Sequence, residues 1–178
     1  MADRHQNKGP FRCEEQLPER QYLYLLTIID DHSRFIISAR FYTRPVKTRD
    51  ILSELRKATE KYGRPLQILT DNGSQFYAVK GGTSIFTRWC MQEGIKHIRS
   101  RVFHPETCVK VERTHGTIIR DFKRLNLPFC NQSFSYYLDY YNFFRPHQGI
   151  KLLTPGEKFM KHPPLNHLPK KCNPSRWS

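Results

Sequence analysis

Two carboxylates, far apart along the chain, stand where metal chemistry would need them. Asp71 directly follows the short apolar run Leu66 to Thr70, which is typical of a buried strand, and the Asn-Gly pair behind it predicts a turn that exposes it. Open α/β sheets place their ligands at the carboxyl ends of strands. A D-N-G sequence is also an ordinary turn, however, so this motif needs a partner before it indicates function.

Glu112 is the candidate partner. It lies in the first or second turn of a predicted helix, along a stripe that otherwise carries cations and one threonine. These are Lys110, Arg113, Thr117, Arg120 and Arg124. Taken alone, the glutamate has a simpler explanation as one half of an ion pair on a solvated helix. Together, two distant carboxylates supply the hard oxygen ligands of a two-metal phosphoryl-transfer site, in which the ions lie about 4 Å apart.

The charge of the chain favours a polyanionic partner. Its 178 residues include 30 Lys and Arg against 16 Asp and Glu, a formal net charge of +14, which makes nucleic acid the first candidate. The predicted phosphate contacts, none of them sequence-specific, are Lys110, Arg113, Arg120 and Arg124. The alternative interpretation of these four is a solvated basic face. With 38% hydrophobic residues the chain can build a core, so it is not a disordered basic tail.

The elements that must position these residues follow from local patterns. Residues 22–42 predict a β-hairpin around the polar turn Asp30 to Arg34. The predicted order then runs helix 48–62, strand 66–70, helix 84–93, strand 95–98, a helix from about 107 to 124 and a helix over 133–144. This alternation predicts an α/β protein with a mixed sheet and helices on its faces.

Aromatic residues crowd the last predicted helix. Helical spacing places five apolar side chains on one face: Phe134, Tyr137, Leu138, Tyr141 and Phe144. Aromatics in a nucleic-acid-binding protein can stack on bases, but a single helical face of this kind is more typical of a core or a subunit interface. We therefore predict that this face is buried.

The remaining composition bounds the class of protein. From Lys158 onward there are five Lys or Arg and four Pro but no acidic residue, which predicts an extended basic tail. No apolar run approaches the roughly 20 residues of a membrane span, and the N-terminus lacks the apolar segment of a secretion signal. We therefore expect a cytoplasmic protein without a membrane partner. The five cysteines form no C-x-x-C pair and are predicted to be reduced thiols without zinc.

Four segments resemble the signatures of one family. Residues 70–76 (TDNGSQF) and 104–113 (HPETCVKVER) are similar to paired motifs of the integrase catalytic core of DDE transposases and retroviral integrases. Residues 24–35 resemble the family's second strand with its D-x-x-S-R ending. Residues 141–155 are similar to the Y-N-x-x-R-P-H and T-P segments of bacterial insertion-sequence transposases. The resemblance covers roughly residues 3–159.

This resemblance implies a ribonuclease H-like fold in which a D, D, E triad binds two Mg²⁺ or Mn²⁺ ions and catalyses DNA cleavage and strand transfer. Asp71 matches the second carboxylate, and Glu112, 41 positions later, matches the third. Asp3 is assigned as the first carboxylate because it is the only Asp upstream of the hairpin. The residues not assigned to metal are Glu14 and Glu15, which are alternatives for the first carboxylate, and Asp30 and Asp31, which are interpreted as turn residues.

The chain departs from the family pattern in two places. Val109 stands where the family normally has Gly, just before Glu112, and a β-branched residue does not easily adopt positive φ. We therefore expect an altered loop beside Glu112. The chain also begins almost at the first catalytic position, without the helix-turn-helix domains that these transposases carry before the core.

Two functions follow from the resemblance. The first is a DDE transposase or integrase, with residues 1–159 as its catalytic core and 160–178 as a basic, Pro-rich tail. It would act on transposon ends and target DNA at the nucleoid as a homo-oligomer, with a second transposase polypeptide as a further expected partner. The second is a truncated, catalytically inactive fragment that only binds DNA or a partner protein. A nuclease of RNA·DNA hybrids is a third possibility, which the H-P-x-T and R-P-H segments disfavour.

Overall fold

A computed structural model describes residues 23–76, 78, 82–100 and 106–161, with residues 106–109 known by backbone alone. The predicted order of strands and helices is confirmed, and a short C-terminal helix adds to it. The elements are β1 (Tyr24–Ile29), β2 (Ile36–Tyr42), α1 (Thr48–Tyr62), β3 (Gln67–Thr70), α2 (Ile85–Gln92), β4 (Lys96–Arg99), α3 (Glu106–Arg124), α4 (Asn131–Asp139) and α5 (Pro155–Lys161). In this described part, every helix is too short or too polar to cross a bilayer.

Strands β1 and β2 form the predicted hairpin, with Tyr24 opposite Tyr42. Asp30 closes the turn, because its Oδ2 atom accepts hydrogen bonds from the Ser33 backbone N–H at 2.7 Å and the Ser33 hydroxyl at 2.5 Å. Ser33 is buried, and Arg34 adopts a φ of 66° as the chain enters β2. Asp30 is thus a turn residue, as its sequence context predicted.

Two asparagine side chains complete the hydrogen bonding of β2. Asn142 Oδ1 accepts from the Ile36 N–H at 2.9 Å, and its Nδ2 donates to the Ile36 carbonyl at 3.0 Å. Asn131 makes the same pair of bonds with Phe41, at 2.9 and 3.2 Å. Each amide makes the two hydrogen bonds that a residue of a neighbouring strand would make. The two side chains therefore satisfy backbone groups of β2 and anchor the C-terminal helices to the hairpin.

An aromatic core fills the space between the hairpin and the helices α3 and α4. Its buried members are Ile36, Phe41, Ile118, Phe122, Phe134, Tyr137 and Tyr141. This confirms that the aromatic face of the last predicted helix is core, with one correction. Phe144 is 73% exposed, because residues Tyr140–Phe144 form a π-helical turn in which the Arg145 N–H donates to the Tyr140 carbonyl. The wider turn rotates Phe144 away from the face that α-helical spacing predicts.

Strands β3 and β4 pair in parallel, with Gln67 opposite Lys96 and Thr70 opposite Arg99. Helices α1 and α2 cover this pair with a second buried cluster, which comprises Ile51, Leu52, Leu55, Phe86, Trp89, Cys90 and Ile95. Helix α1 has the bounds that its periodicity predicted, and Gly63 follows it with a φ of 87°. The parallel pair is the part of the fold that presents Asp71.

Two further sequence expectations are corrected. Helix α3 begins at Glu106, so Val109 lies within its backbone and its position requires no positive φ. Cys90 is a buried free thiol, as predicted, whereas Cys130 is disulfide-bonded, which C-x-x-C spacing does not detect. Residues 162–178 lie outside the described residues, so the boundary between core and basic tail stays a prediction.

Candidate metal and nucleic-acid site

Asp71 lies directly after Thr70, the last residue of β3, and is exposed. Its Oδ1 atom accepts a hydrogen bond from the Gly73 N–H at 2.9 Å, which forms an Asx turn. Within the described part of the chain no donor bonds its Oδ2 atom. The turn therefore orients the carboxylate with one oxygen and leaves the other available for a ligand.

Neighbouring segments hold this turn in place. Asn72 Nδ2 donates to the Ser100 carbonyl at 3.0 Å, and the Ser100 N–H donates to the Thr70 carbonyl at 2.8 Å. On the other side, the Thr48 hydroxyl at the start of α1 donates to the Gln75 carbonyl at 2.8 Å. The segment that carries Asp71 is thus tied to the ends of β4 and α1, although its own side chains are largely exposed.

His97 is a neighbour of this segment that the sequence reasoning missed. Its Nε2 lies 2.9 Å from the Thr70 Oγ1 atom, and its Nδ1 lies 2.9 Å from the Thr87 Oγ1 atom. Burial lowers the pKa of His97, and the nearby Arg99 guanidinium lowers it further. The sequence around His97 does not predict these two hydrogen bonds, because Thr70 and Thr87 belong to other elements.

Glu112 is exposed on α3, in the second turn of the helix. His115 lies one turn further along. Burial lowers the pKa of His115, and the Glu112 carboxylate partly opposes that effect. His115 Nε2 is buried without a hydrogen-bond partner in the described region. His104 lies outside the described residues.

The four cations predicted to contact phosphate all lie on α3, in two different environments. Lys110 Nζ bonds Asp31 Oδ2 at 2.8 Å. Arg124 Nη2 lies 3.2 Å from the Tyr140 hydroxyl, while its guanidinium is 3.6 Å from the buried Asp121 carboxylate. The other two, Arg113 and Arg120, are exposed and form no ion pair with any described residue. Phosphate would meet Arg113 and Arg120 without displacing a carboxylate of the described part of the chain.

The carboxylates present suit a hard divalent cation. Asp71 offers one oxygen that no described residue bonds, and Glu112 is exposed, so both can supply the anionic oxygens that Mg²⁺ and Mn²⁺ prefer. The third predicted ligand, Asp3, lies outside the described residues. Among those that are described, no three His, Cys, Asp or Glu side chains form a metal-binding group. Two of the three predicted ligands, Asp71 and Glu112, are therefore described, and their carboxylate oxygens are of the kind that a hard divalent cation binds.

Comparison with known families identifies the fold. Residues 9–105, a little over half of the chain, match the model of the integrase core domain. The chain belongs to the integrase core domain family. The match spans the hairpin, β3, β4 and Asp71, and it ends before Glu112. Its family is one of polynucleotidyl transferases, so DNA integration and transposition are the activities of the group to which the chain belongs.

Solved structures agree on the architecture. The HTLV-2 integrase catalytic core domain in complex with magnesium is 22% identical at a TM-score of 0.60, covering 80% of this chain and 88% of that one. The BIV integrase catalytic core is 18% identical at 0.59, over 78% and 86%. A chain of the simian T-cell lymphotropic virus intasome is 22% identical at 0.61, over 85% and 50%. The integrase core therefore has the predicted ribonuclease H-like fold.

One relative by sequence is an uncharacterized protein of Archaeoglobus fulgidus. It is 42% identical over 59 residues, which make up 33% of this chain and 52% of that protein. The chain thus spans about half the length of this relative and of the intasome protein.

Proposed function

We propose that this integrase core cuts and joins DNA by metal-dependent phosphodiester chemistry, as the catalytic part of a DDE transposase or integrase. The observation that carries the proposal is Asp71, which stands at the carboxyl end of β3 in a family-matched core. Its turn orients the carboxylate and leaves one oxygen without a donor among the described residues. Hydrogen bonds to the ends of β4 and α1 hold this turn in place.

In this proposal Asp71, Glu112 and Asp3 hold two Mg²⁺ or Mn²⁺ ions. When bound, such ions lower the pKa of an attacking hydroxyl and stabilise the leaving oxygen. The protein contributes orientation, because the Gly73 N–H fixes one Asp71 oxygen while helix α3 carries Glu112. The magnesium named in the HTLV-2 core structure supports the choice of ion.

The partners proposed are DNA, both transposon ends and target, and further copies of this chain. Arg113 and Arg120 lie on the same helix as Glu112, exposed and unpaired within the described part, so phosphate contacts there would place the backbone of DNA near the carboxylate. The net charge of +14 supports a nucleic-acid partner. Dimeric and trimeric forms of the HTLV-2 core and the simian viral intasome support an oligomer. A second transposase polypeptide remains part of the proposal.

The deciding experiment is nicking of supercoiled plasmid by the purified chain in Mn²⁺. Asp71→Asn and Glu112→Gln are expected to lower nicking by at least about 100-fold while DNA binding, measured by fluorescence anisotropy, is retained. Glu60→Gln is the matched control, because it neutralises an exposed carboxylate on α1 away from the site and should leave nicking unchanged. Chelation with EDTA should abolish nicking by the wild type.

Two results would contradict the proposal. Nicking that persists in Asp71→Asn would assign the activity to another group or to a contaminant. A folded wild-type chain that binds DNA without nicking it would favour the inactive DNA-binding alternative.

A further inference from the structure

We propose that His97 is a positioning residue for Asp71, which clamps both ends of the segment that carries this carboxylate. The inference rests on the proposed function, since it assigns Asp71 to a metal. It concerns side chains that lie beneath the site and that no sequence motif identified.

The first end of the clamp is Thr70, the residue before Asp71. Its hydroxyl oxygen lies 2.9 Å from His97 Nε2, and Thr70 is only 8% exposed. The imidazole also packs against the Phe86 ring, with the two ring centroids 4.9 Å apart in a T-shaped arrangement. The ring thus cannot turn without losing both a hydrogen bond and an aromatic contact.

The second end of the clamp is Phe76, which ends the same segment. The His97 Nδ1 atom lies 2.9 Å from the Thr87 hydroxyl, which lies 2.9 Å from the Ser84 hydroxyl. Ser84 donates to the Phe76 carbonyl at 2.9 Å and accepts from the Thr87 N–H at 3.0 Å, as the N-cap of α2. The relay from Thr70 through His97 to Phe76 therefore closes a ring around residues 71–76.

This ring explains how an exposed carboxylate can keep a fixed position. Half-buried Phe76 packs against Phe86 at one end of residues 71–76, but Asp71 lies in the exposed part, and short exposed loops are mobile unless they are tied. A metal ligand must be held within about 0.5 Å of its productive geometry. Thr70 and Ser84, two members of the relay, are each 8% exposed, so water competes less for their hydrogen bonds than it would at the surface.

Two amide substitutions test the two nitrogen atoms of the His97 imidazole separately. In His97→Gln the longer side chain reaches the place of Nε2 and retains the bond to Thr70, the end of the clamp next to Asp71, while Ser84 still bonds the Phe76 carbonyl without the imidazole. In His97→Asn the shorter one reaches the place of Nδ1 and retains only the bond to Thr87. Both variants replace the imidazole ring by an amide at the same position. The two variants should lose similar amounts of thermal stability, so a difference between them in metal binding reports the bond to Thr70.

The measurement is Mn²⁺ binding, followed by electron paramagnetic resonance without DNA. His97→Asn is expected to bind Mn²⁺ about tenfold more weakly than the wild type, and His97→Gln within about twofold. Nicking by His97→Asn should recover at high Mn²⁺ concentration, which a damaged fold would not allow. Should His97→Asn not fold, Thr70→Val decides the matter, since it removes only the hydroxyl and is expected to show the same tenfold loss.

A double variant provides a second readout, because it shows whether the effects of the two substitutions on Mn²⁺ affinity add. Thr70→Val added to His97→Asn should cost no further affinity, because both changes remove the same bond. The proposal is overturned if a folded His97→Asn or Thr70→Val binds Mn²⁺ like the wild type, or if His97→Gln binds as weakly as His97→Asn.

The same data separate this inference from the proposed function. Mn²⁺ binding that needs both Asp71 and His97, in a chain that does not nick DNA, would support the clamp and refute the enzyme. Nicking that needs Asp71 but is indifferent to His97→Asn at low Mn²⁺ would support the enzyme and refute the clamp. Absence of Asp71-dependent Mn²⁺ binding would refute both.

Discussion

Both sides of the molecule have a buried apolar cluster, but the aromatic core beside the hairpin and the segment that carries Asp71 are ordered in different ways. Around the hairpin, Phe122 is fully buried and packs against four other aromatic rings at centroid distances of 5.0 to 5.7 Å. Around Asp71, the ordering comes from short polar bonds through Thr70, His97 and Ser84. Apolar burial stabilises the fold as a whole, whereas directional hydrogen bonds fix individual atoms of an exposed segment. The difference separates a buried scaffold from the exposed segment at which we propose the site.

The largest effect on stability should come from the aromatic core. Phe122→Ala is expected to lower the free energy of unfolding by about 3 to 5 kcal/mol, because it removes a ring from a cluster that cannot collapse around the gap. Urea denaturation followed by circular dichroism measures this. Ile119→Ala, at an exposed position of the same helix, is the control and should cost far less. A loss below about 1 kcal/mol for Phe122→Ala would mean that this core does not hold the fold together.

A smaller, pH-dependent effect is expected at the start of α1, which adjoins the site. The Arg44 guanidinium, bonded at 2.7 and 2.8 Å, and the Lys47 N–H lower the pKa of Asp50 to about 2, against the opposing effect of burial. The folded state therefore favours the ionised carboxylate. That stabilisation is complete above the ordinary pKa of 3.8 and is lost as the pH falls towards 2.

Asp50→Asn is accordingly expected to cost about 1 kcal/mol at pH 6, since the Arg44 pair is partly exposed to solvent, and only a small part of that at pH 2. Urea titrations of both proteins across this range provide the comparison. A cost that stays constant from pH 6 to pH 2 would show that the carboxylate charge contributes nothing. Glu60→Asn, on an exposed face of the same helix, should show no such pH dependence.

The smallest effect on stability should come from the site itself. Asp71→Asn keeps an oxygen that can accept from the Gly73 N–H and removes only an exposed charge, so it should change the free energy of unfolding by less than about 0.5 kcal/mol. The same substitution should abolish nicking. Destabilisation of 2 kcal/mol or more would instead make Asp71 a structural residue and remove the contrast between the two sides.

Local signals explain where sequence reasoning succeeded and where it failed. Helix α1 was predicted to the residue because its apolar period and the following Gly63 are properties of adjacent residues. Phe144 was misplaced because a π-helical turn depends on hydrogen bonds that apolar spacing does not encode. An altered loop beside Glu112 was expected because Val109 stands where the family normally has Gly. That expectation was wrong because Val109 lies within helix α3 and not in a loop.

In the candidate site, too, some residues were identified from local sequence and one was not. Asp71 and Glu112 were found from residue type, position after a strand or in a helix, and resemblance to a family. Their assignment as ligands, like that of Asp3, stays a prediction. His97 was not found, because its partners Thr70 and Thr87 are 27 and 10 positions away. Each is unremarkable in its own segment, and only the parallel pairing of β3 with β4 brings the first of them to the imidazole.

By itself, the sequence determined the order of the elements, the Asp71 turn and the basic character of the chain, because these depend on neighbouring residues and on composition. Only the tertiary structure decided which polar groups meet. Lys110 bonds Asp31 across 79 positions, and His97 joins β3 to α2, because strand register and helix packing set those distances. Local energies choose helix, strand or turn, whereas contacts between distant residues form only after the elements have packed.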